Sequence, residues 1–241
     1  MSDGLKCLHH RLSISLAWLT NSAHSPPMKH RFRLSAQNHS RSPIEDEPWD
    51  EILFESENFI ALPTRGSLVE GWLLIVPRVH AFCVGSFSPE MLAEFGLFRR
   101  EVQGVLETIY GPIIAFEHGP TNSGRPAGCG VDHAHLHLVP WSGLFGVAVS
   151  DYRTESFTWN AVDGCSALRK IHATNEDYLY FEEANGDAFV AVSNKISSQF
   201  FRRVIASSIG QPAAFDWKHH SGIENVKATL SALKGLCAMA D

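Results

Sequence analysis

Three histidines, His133, His135 and His137, alternate with Ala134, Leu136 and Leu138 within the stretch Val131–Pro140. Period-two alternation is the pattern of a strand with one polar and one buried face, so the spacing predicts that all three imidazoles project to the same side. Residues two apart on a strand lie about 6.5–7 Å apart, which separates His133 from His137 by about 13 Å at the backbone. His135 reaches either neighbour, whereas convergence of all three rings on one metal ion needs strong bending. Neighbouring imidazoles disfavour each other's protonation, which keeps at least one ring neutral and nucleophilic near neutral pH. Such a row suits an anionic centre: one ring attacks while the flanking rings donate hydrogen bonds to oxygens, and a phosphoryl group is the natural occupant. The plain alternative is a set of exposed sheet histidines without function, but histidine has little strand propensity and three in register need a reason.

The elements that must position this row can be read along the chain. Ile52–Glu55 and Phe59–Leu62 read as short strands around a polar turn, and Gly71–Val76 is a dense apolar run suited to a central strand that Pro77 ends. Ser88-Pro89-Glu90 is a helix start, with a serine cap, proline at the first helical position and an acid in the first turn. Met91, Leu92, Phe95, Phe98, Val102, Val105, Leu106 and Ile109 then recur at helical spacing until Gly111-Pro112. This long helix is expected to pack on the sheet. Ile113–Glu117 reads as a further strand, followed by a glycine-rich loop from His118 to Gly130 whose backbone N–H groups can approach an anion closely. Beyond Pro140, Trp141–Phe145 has no clear period. Tyr178–Glu182 and Ala188–Val192 flank Asn185-Gly186, a hairpin signal. A helix is expected from about Ser198 to Gly210, and a last one after the capping box Ser221-Gly222-Ile223-Glu224, burying Val226, Leu230 and Leu233.

The run His133-Ala134-His135-Leu136-His137-Leu138-Val139 resembles the histidine-triad (HIT) superfamily of nucleotide hydrolases and transferases. The likeness extends upstream: Glu57–Leu62 and Leu68–His80 look like that family's first core strands and its Pro-Lys-x-His turn, with Arg78 in place of the lysine. The resemblance implies an α+β fold, with a HIT-like antiparallel sheet, a packed long helix, and here a C-terminal hairpin and helices. It also implies a homodimer, no cofactor, and a small-molecule nucleotide substrate. By that resemblance His135 is the nucleophile that forms a covalent nucleotidyl-histidine, His137 bonds phosphate oxygens or the leaving group, and His133 orients its neighbours. His80 matches the histidine closing the turn, in a supporting role.

Several positions depart from the family's pattern. Trp72 stands where many members place a histidine, and Thr64 where many have an aspartate for the ribose hydroxyls. Glu117 falls where an amide often faces the phosphates; a carboxylate there repels an anion unless it is protonated, paired with Arg125 or pointed away. Cys129-Gly130 replaces side-chain donors before the triad, so their backbone N–H groups are the candidate substitutes. Asp132, by alternation, points away from the triad. Of the cations further on, Arg202, Arg203 and Lys218, one reading is that a cation or Trp217 reaches the nucleotide site.

Bulk properties bound the reading further. The 241 residues are 44% hydrophobic, with a formal charge of −6, which argues against a general nucleic-acid binder. Five widely spaced cysteines favour a reducing compartment, and no run is long and apolar enough to cross a membrane, so a cytoplasmic location is expected. The nearest candidate for a targeting segment is Leu12–Thr20. Residues 1–43 read as a poorly ordered basic arm, 44–141 as the catalytic core and 142–241 as an appendage packed on it. The expected function is hydrolysis of, or nucleotidyl transfer from, a phosphoanhydride or phosphoramidate. Two alternatives are a metal-dependent hydrolase using the His-x-His strand and a catalytically silent nucleotide- or RNA-binding descendant.

Overall fold

A computed structural model of the chain describes residues 47–128, 132–152 and 154–238. The arm expected over 1–43, with the Leu12–Thr20 segment, lies outside them. The described residues form an α+β fold of eight strands and five helices. The strands are β1 (Phe54–Glu55), β2 (Phe59–Pro63), β3 (Leu73–Pro77), β4 (Ile113–Gly119), β5 (Leu136–Pro140), β6 (Asn160–Val162), β7 (Tyr178–Glu182) and β8 (Ala188–Val192). They make one antiparallel sheet in the order β1-β2-β3-β5-β4-β7-β8-β6. The helices are α1 (Pro89–Tyr110), α2 (Phe145–Asp151), α3 (Leu168–His172), α4 (Phe200–Ser208) and α5 (Ile223–Ala238). None is long and apolar enough to cross a membrane among the described residues.

Period-two alternation divides each central strand between two cores. On one face Phe59, Ala61, Leu73, Ile75, Ala115, Leu136 and Leu138 pack with Phe95, Phe98, Val102 and Leu106 of α1 and with Val226, Leu230 and Leu233 of α5. On the other, Trp72, Ile114, Phe116, Val139 and Phe181 pack with Phe145 and Val149 of α2 and with Phe200, Phe201, Val204 and Ile205 of α4. The long helix starts where the sequence places it: Ser88 Oγ accepts from Met91 N at 3.2 Å, Pro89 follows, and Gly111 ends it at φ 79°.

Two expectations need correction. The histidine stretch is a strand only from Leu136: its pairing with β3 stops at Ile75↔Leu136, and just upstream the chain turns to the segment after β3, Ala134 N donating to Ala81 O at 2.7 Å. Strand β4 runs two residues past Glu117, through His118 and Gly119, since β7 pairs along its whole end from Ala115↔Glu182 to Gly119↔Tyr178. Glycine is required at that end: a Cβ on Gly119 would lie 2.1 Å from Cζ of Tyr178. The sheet takes strands from both sides of residue 141, since β7, β8 and β6 continue it beyond β4.

Candidate functional site

Strand β5 lies between β3 and β4, with Leu74↔His137 on one side and Phe116↔His137 on the other. Parity puts His137 on the face shared with Trp72 and Phe116, where its ring stacks on Phe116 at 4.3 Å. Continuing the β4–β5 register places His118 opposite His135. Buried His118 joins His135 and His137 in one group, and sequence reasoning left it in a loop. The signal that could have found it is the run Ile114, Phe116, His118, which alternates on the same face.

Each ring's partner fixes its tautomer, because a carbonyl only accepts and an indole N–H only donates. His135 Nδ1 lies 2.8 Å from the carbonyl oxygen of His133, so Nδ1 carries the proton and Nε2 keeps a bare lone pair. His137 Nδ1 accepts from Trp72 Nε1 at 2.9 Å, so its proton sits on Nε2. His133 Nε2 donates to Pro77 O at 2.8 Å. His118 Nε2 accepts from Phe201 N, the opening turn of α4, at 3.3 Å, leaving a buried Nδ1–H without a hydrogen-bond partner. The His135 and His137 rings are 5.0 Å apart. A bare nitrogen and an N–H donor thus stand side by side.

Burial is the first cause holding His135, His137 and His118 below the usual imidazole range, His118 at about 3. Arg202 acts on all three in the same direction. This buried guanidinium lies over the Trp72 ring at 4.9 Å and donates to the carbonyls of Gly66 and, at 2.8 Å, Phe215. The site therefore combines neutral rings with a fixed positive charge, which favours an anion without protonating His135. Trp72, read from sequence as the loss of a relay partner, is instead the donor that orients His137.

The other expected residues are placed as follows. His80 is exposed; its Nε2 donates to Asp132 O at 2.8 Å and its ring meets His133 at 5.6 Å. Thr64 is buried beside β3, its amide donating to Trp72 O at 3.3 Å and its hydroxyl to Arg65 O. Arg125 pairs with Asp177 at 3.4 Å and reaches Thr121 Oγ1, away from Glu117. Asp132 accepts from Ser123 Oγ and Gly124 N, clasping the loop that precedes the triad. Cys129 and Gly130 lie outside the described residues. Lys218 and Trp217 pair with each other, and Trp217 also flanks Arg65.

Glu117 does not join the group. By strand parity it points to the opposite face, where its carboxyl accepts from Val84 N at 2.7 Å and Tyr178 Oη at 2.6 Å. Burial raises it to about 8. Between the ordinary glutamate range and pH 8 the folded chain holds a proton that the unfolded chain has released. The stability this group contributes is therefore complete below about pH 4.3 and lost as pH rises through 8. Glu117→Gln is expected to melt higher than wild type above pH 8, with the gap closing toward acid. Melting temperatures of both across that range check this, and parallel profiles would refute it.

The molecule is thus an antiparallel α+β sheet in which the imidazoles of His118, His135 and His137 gather at the ends of β4 and β5 and are covered by α4. No protein-family model matches the chain. It is 25% identical over 183 residues to the zinc finger CCCH domain-containing protein 64 of Arabidopsis thaliana, an alignment covering 70% of this chain and 29% of that protein. The chain therefore spans less than a third of the length of that curated relative. Among solved structures it is similar to yeast Ap4A phosphorylase in complex with AMP, with a TM-score of 0.38, 10% identity and 79% of each chain covered.

Proposed function

We propose that this protein is a HIT-type nucleotide hydrolase or nucleotidyltransferase that acts on a phosphoanhydride or phosphoramidate through a covalent nucleotidyl-His135. The observation that carries this reading is the His135 ring itself: its Nδ1–H is held on the His133 carbonyl, which leaves Nε2 unprotonated, with the His137 ring 5.0 Å away and protonated on its Nε2. The Nε2 lone pair attacks phosphorus, and the positive charge that develops on the ring is spread toward the carbonyl at Nδ1. His137 Nε2–H and His118 Nδ1–H supply donors to phosphoryl oxygens, and Arg202 supplies the fixed charge. Water or a second acceptor then displaces His135, so the two inversions leave the configuration at phosphorus retained. The homodimer belongs to the same proposal and is checked by sedimentation.

For the metal-dependent alternative the carboxylates nearby are engaged elsewhere: Asp132 accepts from Ser123 and Gly124, and Glu117 faces the other core. The test is intact-protein mass spectrometry after brief mixing with diadenosine polyphosphates, adenosine phosphoramidate and nucleotide sugars, with and without chelator. A chelator-resistant adduct of nucleotidyl mass is expected. Nucleotide binding without adduct or turnover would replace this reading with the silent binding protein.

A further inference from the structure

Resting on the covalent reading above, we propose that Trp72 is a positioning residue that restricts the site to leaving groups able to depart as anions, by holding His137 as a hydrogen-bond donor that cannot act as an acid. The indole N–H has no lone pair to offer, so the 2.9 Å bond it makes to His137 Nδ1 exists only while that nitrogen is bare. Protonating His137 to an imidazolium breaks this bond inside a fully buried contact, since Trp72 is 0% and His137 5% exposed. Trp72 is itself immobilised. The Arg202 guanidinium lies over its ring and is anchored on two carbonyls, and the cation polarises the indole toward stronger donation.

A neutral imidazole N–H donates a hydrogen bond but not its proton. The other described groups around the rings are committed likewise: His135 Nδ1–H to His133 O, His133 Nε2–H to Pro77 O, His118 neutral with its Nε2 accepting from Phe201, and Arg202 permanently protonated. The first step is then balanced only for a leaving group that needs no proton. The His135 Nε2 pair forms the N–P bond, the P–O bond breaks, and its electron pair stays on the departing oxygen. A terminal phosphate carries that pair as an anion. An amine or an alkoxide cannot depart this way, so of the two substrate classes proposed above this inference keeps the phosphoanhydride and excludes the phosphoramidate. In the second step water forms the new P–O bond, the N–P pair returns to Nε2, and the proton of the water passes to solvent.

The test compares p-nitrophenyl and phenyl esters of adenosine 5′-monophosphate as substrates for wild type and Trp72→His, each also scored for the His135 adduct. Positioned acid catalysis contributes about 10²–10⁴-fold to such steps, so wild type is expected to turn over the phenyl ester at least about 100-fold more slowly. Trp72→His, which can relay a proton to His137, narrows that gap. Wild-type rates for the two esters within about ten-fold overturn the inference and leave the covalent reading intact. Absence of adduct and turnover with both esters overturns the covalent reading and this inference together. Should Trp72→His fail to fold, ¹⁵N NMR of wild type decides: His137 must show a bare Nδ1 and a protonated Nε2, and a protonated Nδ1 refutes the role.

Discussion

Replacing His135 by glycine is expected to lower turnover by about 10⁴-fold and to abolish the nucleotidyl adduct, as loss of a covalent nucleophile does elsewhere. The fold should survive, because His135 is only partly buried and its bond to the His133 carbonyl is local. The remaining donors, His137 Nε2–H and His118 Nδ1–H, stay in place because Trp72 and Phe201 hold their rings independently. Free imidazole added to the variant can occupy the vacated space, donate to the same carbonyl and present the same bare nitrogen. Partial recovery of turnover with imidazole concentration is therefore expected, measured as initial rates. Turnover within about ten-fold of wild type, without imidazole, would move the nucleophile elsewhere.

Cutting the chain to residues 44–141 should leave no cooperatively folded protein. The cut strips β7 from β4, ending the pairing from Ala115↔Glu182 to Gly119↔Tyr178 and turning a central strand into an edge. It also uncovers both faces: Phe116, Ile114 and Trp72 lose Phe200, Phe201 and Val204, while the core beneath β2 loses Val226, Leu230 and Leu233. Each large apolar side chain is worth about 1.5–3 kcal/mol on burial. Losing half a dozen, about 9–18 kcal/mol, is as large as the total stability of about 5–15 kcal/mol typical of a domain. Circular dichroism during heating checks this, and a cooperative melt from 44–141 alone would show the later strands to be dispensable.

What the sequence disclosed follows from how local each signal is. The α+β class, the long helix with its Ser88 cap and the 178–192 hairpin rest on periodicity and turn chemistry within a few residues, and the structure has them. Helix α2 could not be read, because its first amides, Phe145 N and Gly146 N, are capped by the carboxylate of Glu183 from beyond β7. The end of β4 was hidden for the same reason, its partner lying some sixty residues on. In the site, alternation marked His135 and His137. His133 lies ahead of β5, where Ala134 N bonds Ala81 O and the His133 ring bonds Pro77 O. Arg202 carried no local signal separating it from Arg203; only packing shows the first over Trp72 and the second over Phe215.

The β4–β7 pairing also sets a schedule. A chain that emerges from the ribosome N-terminus first exposes its three histidines well before β7 and α4 have been made, and domains fold as units. His118 gains its Phe201 partner, and Trp72 its covering cation, only once residues 200–208 are free to dock. The nascent chain thus carries these imidazoles in an unfinished setting while residues 138–208 are being made, and completes the group in one long-range closing step.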